Sequence, residues 1–436
     1  MHNILSLQYN SNHTMIKMNQ TIHILFSEGS SLSARQTLSA LGPLGYKIDV
    51  CDPNPLCISR FSRFVHRFHR CPPSGSDPLG YLRFILDRLK QEHYDVLLPV
   101  HEQALLFSRI QAQLASKCGI ALTDFDQLAL LQSKATFSQL LNQLGLPQPQ
   151  THFIRSQSDL DGINTFPFYV KLPYSTAGRG VWRVENSEQC SKVIQFLEDV
   201  GVFKSGTNIL AQETATGLLS QAQAIFEHGH LIAVHCTVQQ ALGMGGSQSA
   251  RLGTDHPVVR KDLEILGQHL GWQGALAIDY FYNPETERPL YIEANPRLVE
   301  PMNACLSEVN LAEILVRLSL GESFTGSTTK LGCLRVRSHS LMAMLLGKAE
   351  QNGSRWELLK MLVQVILRRG TYKHSYEDLT PPGLDPPSLI PLAFVTIQLL
   401  INPAITSSIS RRTVSDYSLT EKTIEIIRGV REINGC

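Results

Sequence analysis

In the stretch Leu290-Tyr-Ile-Glu-Ala-Asn-Pro-Arg297, polar and apolar residues alternate up to Asn295. As a strand it places Glu293 and Asn295 on one face and Ile292 and Ala294 on the other. A carboxylate beside an amide oxygen, with a guanidinium just past Pro296, suits a magnesium ion that carries nucleotide phosphates. Magnesium takes hard oxygen ligands and keeps positions for phosphate and water. Arg297 then suits a transferred phosphoryl group or a substrate carboxylate.

Asp279 lies in Ala275-Leu-Ala-Ile-Asp-Tyr-Phe281, an otherwise apolar strand, and a buried carboxylate needs a partner. The turn formers between Asn283 and Pro289 predict a hairpin. If Tyr282 pairs with Leu290, Asp279 falls opposite Glu293. Two carboxylates then repel each other unless a divalent cation lies between them.

Upstream, Phe168-Tyr-Val-Lys-Leu-Pro-Tyr-Ser-Thr-Ala-Gly-Arg-Gly-Val-Trp182 delivers Lys171 from a strand into a glycine-containing turn, Ser175 to Gly180. Such a turn lets backbone N–H groups approach phosphate oxygens while the lysine adds a point charge. It is not a P-loop, because no Gly-Lys-Ser/Thr opens a helix. A hairpin turn with a surface lysine reads equally well from the loop alone. Ile209-Leu-Ala-Gln-Glu213 is an apolar run ending in Gln212 and Glu213, which suits an adenine edge or an ordinary strand end. Lys134 follows Ser133 before Gly145-Leu-Pro and by itself is a solvated lysine.

In this order the pieces resemble the ATP-grasp superfamily over roughly residues 21–325. The landmarks are Ser133-Lys134 with Leu144-Gly-Leu-Pro-Gln-Pro149, Val170-Lys171 with Ser175-Thr-Ala-Gly-Arg-Gly180, Gln212-Glu213, Asp279, and Glu293-Ala-Asn-Pro-Arg297. The resemblance implies that Lys134 and Lys171 bind ATP phosphates beneath a loop holding Ser175, Thr176, Gly178 and Gly180, with Gln212 and Glu213 meeting adenine. It implies that Asp279, Glu293 and Asn295 hold Mg2+ (or Mn2+), that Arg297 steadies an acyl phosphate, and that Arg251 stands near the phosphate or acceptor. One departure is Leu218-Leu219, where relatives carry a glutamate, leaving Gln221 or Gln223 for the ribose.

The implied reaction is ATP-dependent carboxylate–amine ligation through an acyl phosphate, with an amino acid as the expected amine. A bicarbonate-activating carboxylase or carbamoyl-phosphate-type enzyme shares the fold, although this sequence shows no biotin partner or glutaminase segment. A nucleotide-binding module without catalysis is the third reading, and the joint presence of Asp279, Glu293, Asn295 and Arg297 weighs against it.

Strand-like runs at 21–26, 46–52 and 94–100 alternate with helical segments and predict a parallel α/β sheet. The expected architecture is α/β and α+β: a loose tail at 1–20, a Rossmann-like domain at 21–124, an ATP-grasp module at 125–328, and a mostly helical region at 329–436. With 436 residues, 43% hydrophobic and 18% charged, the chain reads as a soluble multidomain protein. A net charge of +1 gives no global field for nucleic acid or an anionic membrane. Nine cysteines without a Cys-x-x-Cys pair read as cytoplasmic thiols.

Arg60, Arg63, Arg67 and Arg70 among Phe61, Phe64 and Phe68 read as a solvated face or a carboxylate pocket. The stripe Leu358, Leu359, Leu362, Val363 and Ile366 in 356–369 is expected to dock on the chain's own core or on a second copy, as in a homodimer. Residues 389–401 are too few for a transmembrane helix.

Overall fold

The computed structural model describes residues 21–163, 165–175, 178, 180–204, 206–352, 354–406, 416–430 and 432–433. The tail at 1–20 and Thr176 lie outside them. The fold is mixed α/β, built on three sheets.

The first sheet is parallel, in the order β3-β2-β1-β4, from β1 (His23–Phe26), β2 (Lys47–Asp52), β3 (Val65–Arg70) and β4 (Val96–Leu98). The apolar residues of β1, β2 and β4 are buried on both faces, as helix-covered parallel strands require. Two flanking helices start on side-chain caps: Ser31 accepts from the Ala34 N–H, and Asp77, ahead of Pro78, accepts from the Gly80 N–H. β3 falls in the Arg/Phe strip and was not foreseen, because its Val-His-Arg-Phe-His-Arg sequence has no apolar alternation. It is an edge strand, and exposed charge suits an edge. The strip reads as a solvated face: Arg67 pairs with Glu92 at 2.9 Å, while Arg60 and Arg63 lie over the Phe68 and Phe64 rings.

The second sheet is antiparallel, in the order β5-β8-β6-β7, from β5 (Thr151–Ile154), β6 (Phe168–Lys171), β7 (Val181–Val184) and β8 (Ile209–Glu213). Its core is Val170, Val184, Leu197, Ile209 and neighbours. Residues 214–217 then lead into the third sheet, where Gly217 takes φ +118° and a Cβ would lie 2.5 Å from the Tyr282 carbonyl oxygen. Only glycine fits that crossing without strain.

The third sheet contains β9 (Leu218–Glu227), β10 (His230–Leu242), β11 (Gln248–Thr254), β12 (Gly274–Asn283), β13 (Arg288–Asn295), β14 (Lys330–Leu331), β15 (Arg337–His339) and β16 (Ser375–Glu377). Their order is β13-β12-β9-β10-β11-β15-β16, with β14 on β10. β10 and β11 were not read from the sequence. β14, β15 and β16 extend this sheet past residue 328, so the segment beyond it is not purely helical.

Helices at Leu341–Asn352, Arg355–Ile366 and Leu389–Ile401 pack around Leu345, Leu358, Leu379 and Leu399. The stripe on 355–366 is only half docked: Leu358 is buried, but Val363 and Ile366 are 52% and 77% exposed. On the helix Leu389–Ile401, Phe394 and Ile397 are likewise exposed. Among the described residues no helix is long and apolar enough to cross a membrane.

Candidate functional site

Glu293 and Asp279 do stand opposite each other, but not by the expected register. Phe281, not Tyr282, pairs with Leu290, and Tyr280 pairs with Tyr291. A β-bulge at Ile292 then restores Asp279 opposite Glu293. The alternation fails there: Tyr291 and Ala294 both enter the core, while Glu293 turns to the polar face.

On that face the register runs Glu293, Asp279, Gln221 and Thr237 across β13, β12, β9 and β10. Gln221 donates Nε2 to Asp279 Oδ1 at 2.8 Å, and Asn295 donates Nδ2 to Asp279 Oδ2 at 3.1 Å. Arg297, nearly buried, donates to Asn295 Oδ1 at 3.1 Å. Burial, then the neighbouring Glu293 carboxylate, push Asp279 up to about 7, against the pull of Gln221, Arg297 and Arg251.

This is the stress a divalent cation relieves, and the hard oxygens of Asp279, Glu293 and Asn295 fit one. Ligation through Asn295 Oδ1 takes a half-turn of its carboxamide, which now faces Asp279 with nitrogen. Gln221 Oε1 and Arg297 Nε have no hydrogen-bond partner among the described residues.

Two lysines reach this row from different elements. Lys134 opens the helix Lys134–Leu144, capped by Ser133, and its Nζ donates to Glu293 Oε1 at 2.9 Å and the Ser175 carbonyl at 3.0 Å. It is buried, not the solvated lysine its sequence suggested. Lys171, on β6, donates to Gln212 Oε1 at 2.6 Å. Burial, with Lys134 adding to it, pushes Lys171 down to about 8, although Glu293 opposes the shift.

The loop between β6 and β7 is a hairpin connection, closed by Leu172 N–H donating to the Gly180 carbonyl at 2.8 Å. Gly178 (φ +74°) lies against Gly245, where a Cβ would stand 3.3 Å from the Gly245 carbonyl oxygen. Gln212 is buried between Lys171 and Thr151, whereas Glu213 is half-buried at the strand end. Gln221 is engaged with Asp279, and Gln223 accepts from the Val299 N–H at 3.4 Å.

Arg251 stands in a separate buried cluster on the same sheet. Its Nη2 donates to Glu300 Oε2 at 2.7 Å, and Nη1 lies 3.6 Å from Asp378 Oδ2. Gln36, on the helix Leu32–Leu41 beside the first sheet, donates to Asp378 Oδ1 at 3.1 Å. Burial works against the Arg251 charge, but Glu300 and Asp378 outweigh it and raise its pKa; burial raises both carboxyls.

Sequence reading missed Gln36, Asp378 and His101, which are far apart in the chain and carry no motif. The ring centroid of His101 lies 4.2 Å from that of Tyr417. Burial, then Arg297, hold its pKa well below the usual imidazole range.

No family model matches the chain. The large chain of carbamoyl phosphate synthase from Thermomicrobium roseum is 25% identical over 265 residues, 55% of this chain. The match spans only 24% of that relative's length.

Among solved structures, the L-amino acid ligase from Bacillus licheniformis superposes with a TM-score of 0.53 at 16% identity, covering 70% of this chain and 75% of that one. The biotin carboxylase domain dimer of the Hydrogenobacter thermophilus 2-oxoglutarate carboxylase, with MgADP and bicarbonate, gives 0.57 at 14%, covering 71% and 72%. The chain has the ATP-grasp fold.

Proposed function

We propose that this chain is an ADP-forming ATP-grasp enzyme, a carboxylate–amine ligase that makes an amide through an acyl phosphate. The observation that carries the reading is the row of Asp279, Glu293 and Asn295, with Lys134 and Arg297 in contact with its ends. In domain terms, 21–124 serves as the Rossmann-like domain, 125–328 as the ATP-grasp module and 329–436 as a C-terminal region that adds strands to it.

In this reading a substrate carboxylate oxygen attacks the γ-phosphorus of ATP and ADP leaves. An amine nitrogen then attacks the acyl carbon, phosphate departs and the nitrogen loses a proton. Asp279, Glu293 and Asn295 would hold Mg2+, which when bound neutralises phosphate charge. Lys134 and Lys171 neutralise phosphate oxygens, and Arg297 faces the acyl phosphate. No side chain needs to act as a covalent nucleophile. In the free chain Lys134 neutralises Glu293; with Glu293 holding a cation instead, Lys134 would be left to meet phosphate.

An amino-acid substrate is favoured over bicarbonate by the Arg251, Glu300 and Asp378 cluster, which offers both signs of charge in one buried place. Arg251 Nε has no hydrogen-bond partner among the described residues, a donor left for a carboxylate, while Nη1 and Asp378 Oδ2 face each other at 3.6 Å as an ion pair that an amino acid's two charges would match. ADP release measured with amino-acid mixtures, with and without bicarbonate, tests this. Stimulation by amino acids supports the ligase, stimulation by bicarbonate alone turns the reading to a carboxylase, and nucleotide binding without turnover rejects both. A homodimer through Ile366, Phe394 and Ile397 belongs to the same proposal. In sedimentation velocity F394D should then shift the chain to monomer.

A further inference from the structure

Three histidines converge on one buried carboxylate toward the N-terminal end of the first sheet, away from every residue assigned above. Asp49, fully buried on β2, has its Oδ1 2.9 Å from His66 Nδ1. Its Oδ2 lies 2.8 Å from the Tyr94 hydroxyl, 3.1 Å from His69 Nε2 and 3.3 Å from His23 Nε2. Glu92 completes the group beside Lys47 and Arg67.

His23 is the member that a hydrogen-bonded acid does not explain. Its Nδ1 lies 3.0 Å from the His93 carbonyl oxygen, which can only accept, and 3.5 Å from Lys47 Nζ, which can only donate; the shorter contact puts the hydrogen on Nδ1. In the neutral ring Nε2 then points a lone pair at a carboxylate oxygen, acceptor against acceptor. Nε2 has no hydrogen-bond partner among the described residues although His23 is 6% exposed. A cation between the two removes the conflict. A backbone carbonyl holding the far nitrogen is also how ligating imidazoles are oriented.

We propose that His23 Nε2, Asp49 and His66 Nδ1 bind a borderline divalent cation of the zinc class, with His69 and Glu92 as a second ligand pair on the same carboxylate. The ligand atoms in each of these two groups lie within 4.8 Å of one another. Tetrahedral zinc at about 2.0–2.1 Å sets its ligands about 3.3 Å apart, close to the His23–Asp49 and His69–Asp49 separations. Imidazole donors select zinc, cobalt, nickel or copper over magnesium, so this site is chemically separate from the oxygen row on the third sheet. Its histidine and aspartate ligands come from β1, β2 and β3, with Glu92 at the end of the helix Pro78–Gln91, and a bound ion ties those strands together.

The test uses the full chain, stripped with a chelator and titrated with Zn2+, then Co2+, in excess Mg2+. The expected result is one Zn2+ per chain, a raised melting temperature, and a Co2+ visible spectrum of low-coordinate nitrogen and oxygen ligation. Glu293→Gln should keep all three, whereas His23→Gln should lower zinc affinity at least tenfold. His66 is partly exposed and His66→Gln leaves the buried packing intact, so it covers the case in which His23→Gln fails to fold. Zinc bound equally by these variants, a thiolate charge-transfer band, or no stoichiometric zinc would overturn the proposal.

Discussion

At the residue scale, the two carboxylates of the row are held in different ways. Both are half-buried, but Glu293 is neutralised by Lys134, whereas Asp279 is held by the Gln221 and Asn295 amides, with no cation in contact among the described residues. Glu293→Ala removes a proposed metal ligand and unpairs the buried Lys134. ADP release should fall by on the order of a hundredfold to a thousandfold, read in a coupled assay alongside circular dichroism to show that the variant folds.

The sign of the pH effect follows from Asp279. Between its ordinary value of 3.8 and about 7, the folded chain holds a proton that the unfolded chain has released. Stability without metal therefore declines as pH rises through that interval, and the decline is complete above it. A cation binds the carboxylate form, so Mg2+ affinity rises over the same interval with release of up to one proton. Calorimetry in buffers of different ionisation enthalpy should detect that proton, and D279N should lose it.

Arg251 and Glu300 were legible as residues near the acceptor, but Asp378, 127 positions beyond Arg251, was not. R251M leaves both carboxylates uncompensated in a buried place and should cost about 3–5 kcal/mol in urea unfolding.

At the element scale, much of the strand content was visible as apolar runs with turn formers between them, and the β12–β13 hairpin is the clearest case. The bulge at Ile292 was not visible. A strict two-residue period puts Tyr291 beside Glu293, and it takes the packing of Tyr291 against Tyr280 and Asp262 to break the period. β10 and β11 escaped because β10 is apolar on both faces over much of its length, a pattern shared with buried helices. The crossing from β8 to β9 depends on Gly217. Gly217→Ala drives a Cβ into the Tyr282 carbonyl at a φ that L-residues avoid. It should cost about 1–3 kcal/mol, visible as a lowered melting temperature.

At the scale of the whole molecule, the proline-rich segment 381–387 reads as a break in the sequence but acts as a joint. Asp385 is fully buried and accepts from Arg35 Nη2 at 2.6 Å and from the Arg63 N–H at 3.0 Å. The first sheet's leading helix is thereby clamped to the C-terminal helices, while Gln36 on the same helix reaches the Arg251 cluster. R35M should destabilise the chain by about 3–5 kcal/mol. Limited proteolysis should then cut first near residues 381–387.

The sequence by itself determined which residues make up the row proposed to hold metal and phosphate. Lysine, carboxylate, amide and arginine stand in short local motifs whose order along the chain is informative without any fold. Only the tertiary structure decided which carboxylate has a lysine beside it, that Lys134 already neutralises Glu293, and that residues from both ends of the chain build the Arg251 cluster. Burial and charge pairing depend on which strands lie side by side, and contacts between distant segments leave no period in the sequence.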